Sequence, residues 1–147
     1  MKDANCIFCK IAKGEMPAYK VYEDKDYVAF LDIFPNTEGQ TLVMPKAHTN
    51  SKFSDVDDKE LAAFMIVVKK VANLLVKKLG VERANLVFEG TEVKHLHAKL
   101  YPMKSASETH YDNKQVYFKC FPGYTTSLTG PRASDSDLRE LQEKITH

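Results

Sequence analysis

Leu61, Phe64, Met65, Val68, Val71, Ala72, Leu75 and Leu79 recur at three- and four-residue spacing, and this stripe constrains the fold more than any other feature. Such spacing places apolar side chains on one face of a helix. Asp57 followed three residues later by Glu60 resembles a capping box, with Asp in the Ser/Thr position. Lys77 and Lys78 suit the helix C-terminus, and Gly80 is the expected stop. A one-sided stripe needs a surface to pack on. Short β-rich runs on both sides supply it: residues 19–22, 27–31 and 41–44 before the helix, then 85–88 and 95–101 after it. Glu23-Asp24-Lys25-Asp26 reads as a polar hairpin, and residues 34–39 as a loop rich in turn formers. Residues 116–120 suggest one more strand, broken by Phe121-Pro122-Gly123-Tyr124, and residues 134–145 a short C-terminal helix. Strands on either side of one long helix predict an α+β fold with a largely antiparallel sheet.

The chain has 147 residues, a length expected to form a single domain over 1–147. A net charge of +1, without a long block of one sign, argues against a nucleic-acid binder. No apolar run approaches the ~18 residues of a membrane span, and residues 1–5 lack the apolar core of a secretory signal. Cys6, Cys9 and Cys120 are an odd set and not a disulfide framework. These features predict a soluble cytoplasmic protein.

The run His95-Leu96-His97-Ala98-Lys99-Leu100-Tyr101-Pro102 alternates polar and apolar residues. In a strand, His95, His97 and Lys99 would share one face at about 6.6 Å intervals, with Leu96, Ala98 and Leu100 facing a core. Three nitrogen-bearing side chains in a row suit an anion or a metal. The same pattern also fits a half-exposed strand whose solvent face carries these groups.

Gly39-Gln40-Thr41-Leu42-Val43-Met44-Pro45-Lys46-Ala47-His48 and the histidine run together resemble the histidine-triad (HIT) nucleotide-binding family. Cys6-Ile7-Phe8-Cys9-Lys10-Ile11, Gly14-Glu15-Met16-Pro17, Val21-Tyr22-Glu23-Asp24 and Ala29-Phe30-Leu31-Asp32-Ile33 agree in order and spacing. The resemblance covers residues 4–103 and leaves 104–147 as a C-terminal extension. It implies a five-stranded antiparallel sheet with one long helix, usually paired as a homodimer. It implies a nucleotide hydrolase or nucleotidyltransferase acting on nucleoside phosphoramidates or dinucleoside polyphosphates. His97 would be the nucleophile that forms a nucleotidyl-histidine, with His95 and Lys99 beside it and no catalytic metal required. Asp32 would accept hydrogen bonds from the ribose hydroxyls. Ile7, Phe8, Ile11, Met16, Phe30 and Ile33 would wall the base, and Gln40 and Thr91 would complete the nucleotide site.

The chain departs from the family pattern in three places. Lys99 stands where the third histidine belongs, and Gln40 where a histidine usually follows the glycine. Glu89-Gly90-Thr91-Glu92-Val93-Lys94 replaces a longer Gly-rich loop, and Glu92 would repel an anion unless Lys94 or Lys99 offsets it. Hydrolysis and transfer therefore both stay open, as does a zinc-stabilised nucleotide-binding or interaction module with little turnover. Cys6-x-x-Cys9 alone would be a weak signal, and a redox pair is the alternative for it. The resemblance implies structural zinc on Cys6, Cys9, His48 and His95, a Cys₂His₂ set suited to tetrahedral coordination. It also suggests that the aromatic stretch 111–124 reaches a partner subunit's site.

Overall fold

The side chain of Asp57 accepts hydrogen bonds from the backbone N–H groups of Lys59 and Glu60, and the long helix α2 begins there, spanning Asp58–Leu79. Only half of the expected capping box forms. Glu60 does not turn back to Asp57; its carboxylate takes the hydroxyl of Thr49 at 2.5 Å and ties the helix start to the strand-exit loop. Gly80 ends the helix in the left-handed conformation at φ 63, as predicted from a residue without Cβ strain.

In this computed structural model, residues 5–104, 109–112, 115–120 and 130–147 are described, excluding the side chains of 109–112, 115 and 116. Helix α1 spans Ile7–Lys13, followed by β1 (Lys20–Glu23), β2 (Tyr27–Leu31) and β3 (Thr41–Pro45). After a 3-10 turn at Phe53–Asp55 and helix α2 come β4 (Arg83–Val87) and β5 (Ala98–Met103). A hairpin of β6 (Thr109–Asp112) and β7 (Gln115–Phe118) precedes α3 (Asp135–Thr146). The large sheet runs β1-β2-β3-β5-β4, every pairing antiparallel. The expected α+β, five-stranded fold is present.

Each strand serves two cores because successive side chains alternate faces. Ala29, Leu31, Val43, Leu96, Ala98 and Leu100 meet Phe64, Val68, Val71 and Leu75 of α2. Each fully buried aliphatic or aromatic side chain there contributes ~1.5–3 kcal/mol. Leu138 and Ile145 of α3 join this core, so the C-terminal extension packs on the sheet–helix layer. On the opposite face Val28, Phe30, Leu42 and Met44 pack against Cys6, Phe8, Cys9 and Ile11 of the N-terminal segment.

Three expectations change. Helix α1 replaces the purely strand-and-turn reading of the N-terminal third; seven residues are too few for a periodic signal, and burial of Phe8, Cys9 and Ile11 holds the turns together. Pro45 does not stop β3 but is its last residue, paired with Tyr27. The strand expected over 95–101 begins at Ala98, because the backbone N–H of Leu96 bonds the Thr49 carbonyl at 2.8 Å instead of joining the ladder. The break Phe121-Pro122-Gly123-Tyr124 and much of the aromatic stretch 111–124 lie outside the described residues. Among those described, no helix is long and apolar enough to cross a membrane.

Candidate active site and metal centre

The nitrogen-bearing face of the histidine run is buried, not solvated. His95, His97 and Lys99 are 0%, 5% and 8% exposed, because α1 covers that side of the sheet. Burial forces each of these polar groups to find partners.

His95 Nε2 lies 2.8 Å from the Pro45 carbonyl. A carbonyl only accepts, so Nε2 carries the proton and Nδ1 keeps a bare lone pair. That Nδ1 lies 3.5 Å from Cys6 Sγ and 3.6 Å from Cys9 Sγ, while His48 Nδ1 is 3.3 Å from Cys9 Sγ. All four donor atoms fall within 4.8 Å of one another. A tetrahedron with Zn–S near 2.3 Å and Zn–N near 2.05 Å has S···N edges of about 3.55 Å. The three S···N contacts match such edges, and the four donors are compatible with a metal site. The Pro45 carbonyl supplies the outer hydrogen bond that orients a metal-bound histidine. Burial, opposed by that bond, holds the His95 imidazole below its ordinary pKa and so in the neutral, ligating form.

His97 repeats the logic with the opposite nitrogen. Its Nδ1 lies 2.7 Å from the His95 carbonyl and must be the protonated atom. Nε2 is left with its lone pair and has no hydrogen-bond partner among the described residues. No buried side-chain nitrogen or oxygen lacks a partner, so Nε2 is open to the cleft that His97 lines. Burial is the main cause that lowers the His97 pKa, with the Lys99 charge adding to it, so the ring is neutral at neutral pH. The Phe8 ring packs against it in a T-shaped contact, the two centroids 5.1 Å apart.

The cleft encloses about 240 Å³. Ile7, Phe8, Ile11, Met16, Phe30 and Ile33 all line it, together with Asp32, Gln40, His97 and Lys99. Ile7 and Ile33 are 42% and 38% exposed, and Phe34, which pattern reading missed, is 40% exposed. Three large apolar side chains left open at the rim of a cleft favour a flat apolar ligand. Leu42 of β3 also contributes, as do Pro17 and Ala18 on the segment after α1 and Glu92 and Val93 on the loop before β5.

Gln40 is a support for Asp32. Its amide nitrogen donates to Asp32 Oδ2 at 2.7 Å, and its carbonyl oxygen accepts from the Asn36 N–H at 2.7 Å. Asp32 Oδ1 takes the Phe34 N–H at 2.8 Å. Burial raises the Asp32 pKa, against the lowering effect of these bonds and of Lys99. The ionised carboxylate therefore costs stability at neutral pH, and this cost disappears as pH falls through the raised value.

Thr91 is exposed and lies outside the cleft lining; its hydroxyl donates to Glu89 Oε1 at 2.9 Å. Glu89, absent from the sequence reading of the site, pairs with Lys99 at 2.7 Å, the two side chains being 17% and 10% exposed. Burial pushes the Glu89 carboxyl up, but the bonds from Lys99 and Thr91 outweigh it and hold it below its ordinary value. Strand register could have revealed this residue. Arg83 pairs with Met103 and Val87 with Lys99, so Glu89 lies two residues beyond the strand partner of Lys99, within reach of its ammonium.

Gly90 locks that loop. Its φ is 68, its carbonyl accepts from Ser51 Oγ at 2.7 Å, and a Cβ there would lie 2.7 Å from the Ser51 carbonyl oxygen. Gly90→Ala is expected to cost about 2–4 kcal/mol through left-handed strain and overlap with backbone. Urea unfolding tests this: a cost under about 1 kcal/mol would show that the loop simply shifts.

The fold thus sets an imidazole with one open nitrogen at the end of a largely apolar cleft. The HIT-domain profile matches residues 13–105, and the chain belongs to the HIT family. An uncharacterized HIT-like protein of Methanocaldococcus jannaschii is 47% identical, over 66% of this chain and 78% of its own. An adenosine 5'-monophosphoramidase of Saccharomyces cerevisiae is 37% identical, over 75% of this chain and 76% of its own. A crystal structure of a Zn-bound histidine triad family protein from Mycobacterium smegmatis superposes with a TM-score of 0.65 at 25% identity, covering 96% and 93% of the two chains.

Proposed function

We propose that the protein is a nucleotide hydrolase or nucleotidyltransferase that attacks the α-phosphate of nucleoside phosphoramidates or dinucleoside polyphosphates with His97 Nε2. The observation that carries this reading is the 2.7 Å bond from His97 Nδ1–H to the His95 carbonyl, which leaves Nε2 unprotonated in the cleft. Attack forms an Nε2–P bond as the P–X bond breaks, and the leaving group departs with that electron pair, an amine taking up a proton from solvent. The resulting N-phosphoryl imidazole is cationic, and its Nδ1–H stays on the His95 carbonyl, which stabilises the developing charge. Water or another acceptor then displaces the imidazole and restores His97. Lys99 presents an ammonium near the phosphate oxygens. The Saccharomyces relative's name, a monophosphoramidase of adenosine, supports this substrate class.

Asp32 accepts the ribose hydroxyls in this reading, and Ile7, Phe8, Ile11, Met16, Phe30, Ile33 and Phe34 surround the base. Asp32→Asn is expected to reduce the preference for AMP over its 2',3'-dideoxy analogue by about 10- to 100-fold, the range of a hydrogen bond to a charged acceptor. Binding should also weaken on acidification, from a pH above that of an ordinary aspartate, because the buried carboxyl protonates early. Titration calorimetry of both ligands across pH checks this; equal affinities in wild type would remove Asp32 from the ribose.

Zinc on Cys6, Cys9, His48 and His95 is the metal we assign, on the strength of the tetrahedral spacing and thiolate–imidazole donors. When bound it anchors the start of α1 to the segment that carries His97. We further take the protein to be a cytoplasmic homodimer. Ile66, 71% exposed on α2, and Phe53, 51% exposed, are apolar surface available for self-association.

A second reading follows from one observation: the Lys99 ammonium is already held by Glu89. It takes the protein as a zinc-stabilised nucleotide-binding module with little turnover. Incubation with an adenosine phosphoramidate, an alkaline quench and intact-mass measurement separates the two. An adenylyl adduct supports the enzyme, whereas nucleotide binding with neither adduct nor product supports the module.

A further inference from the structure

Lys99 is the single cation among the described residues that line the cleft. Its ammonium is committed to Glu89 at 2.7 Å, and Asp32 and Glu92 add negative charge to the same lining. The arrangement around Glu89 is constructed rather than incidental. Thr91 donates to its other oxygen, and the Ser51 hydroxyl pins the carbonyl of the next residue, Gly90. The pair is mostly shielded from solvent, so salt screens it less than a surface pair. The Lys99–Glu89 couple therefore carries no net charge, and Asp32 and Glu92 leave the cleft lining net negative. An α-phosphate brings one charge there, which the two unused N–H donors of Lys99 serve. A polyphosphate leaving group adds further negative charges, and no second cation among the described residues lines the cleft to meet them.

We propose that Glu89, by neutralising Lys99, is a specificity-determining residue that makes this site select nucleotides with an uncharged or cationic leaving group over those with a polyphosphate leaving group. The inference rests on the nucleotide reading above and narrows it to the phosphoramidate class. An amine leaving group adds no anion beside Glu89, and a protonated side chain on that amine is attracted by Glu89 and Glu92. Glu89 acts through Lys99 and through charge, without bonding to the reacting phosphorus.

Equilibrium binding tests the idea without requiring turnover. Dissociation constants for AMP and ATP are measured by titration calorimetry at fixed ionic strength, without chelator, on wild type, Glu89→Gln and Lys99→Gln. Wild type is expected to bind AMP at least as tightly as ATP. Glu89→Gln should shift the ratio toward ATP by about tenfold, and Lys99→Gln should shift it the other way. In turnover, Glu89→Gln should lower the ratio of kcat/KM for adenosine phosphoramidate to that for diadenosine tetraphosphate by a similar factor. Should Glu89→Gln not fold, the Lys99→Gln shift decides alone. A wild type that binds ATP tenfold tighter than AMP, or ratios unchanged in a variant that still binds AMP, overturns the proposal. A missing His97 adduct with the expected AMP and ATP ratios would instead remove the catalytic reading and leave this one standing. Absence of any AMP binding would remove both.

Discussion

His97→Ala is expected to abolish the nucleotidyl adduct and to lower turnover of an adenosine phosphoramidate by about 10³-fold or more, the scale of losing a covalent nucleophile. The neighbouring groups that could compete are engaged elsewhere. Lys99 is engaged by Glu89, Asp32 by Gln40 and the Phe34 N–H, and His95 aims Nδ1 at the cysteines. The variant should still bind AMP, because the apolar walls and Asp32 are untouched. The adduct is read by intact mass after an alkaline quench, since phosphohistidine is acid-labile. Turnover in His97→Ala within tenfold of wild type would mean that the imidazole is not the nucleophile.

Removing the metal is expected to lower the melting temperature by roughly 8–16 °C. An ion present at a thousand times its dissociation constant stabilises the native state by ~4 kcal/mol, and a domain of this size shifts ~2–4 °C per kcal/mol. Cys9→Ser should reproduce much of the loss, because Cys9 Sγ lies within 3.6 Å of His48 Nδ1 and His95 Nδ1. Adduct formation should slow as well. The carbonyl of His95 holds the nucleophile, and the ring of His95 belongs to the metal cluster. Purified protein should contain stoichiometric zinc. A low zinc content unaffected by Cys9→Ser, with no thermal shift on chelation, would show that the cluster is two thiols and two histidines without an ion.

Particular residues show how much was legible in the chain itself. The long helix could be placed to within a residue, because its stripe, Asp57 and Gly80 are all local signals. The donor set Cys6, Cys9, His48 and His95 was reached only through family resemblance. It comes together where the Leu96 N–H bonds the Thr49 carbonyl between His48 and His95, a contact across the fold that no spacing encodes. Gln40, expected at the nucleotide, does line the cleft and also braces Asp32, a second role visible only once the Asn36 loop closes over it. Thr91 and Glu89 exchanged importance for a similar reason. The loop after β4 turns the carboxylate inward and the hydroxyl outward.

Periodicity, capping residues and motif order thus determined that this chain is α+β, where its long helix lies and which imidazoles run beside its core. They could do so because these are properties of neighbours a few positions apart. Which nitrogen of each histidine bears the proton, and which partner the lysine takes, was decided only in three dimensions. Both depend on a carbonyl or carboxylate brought close by the fold, and inside the protein a polar group adopts whatever state its enclosed partner demands.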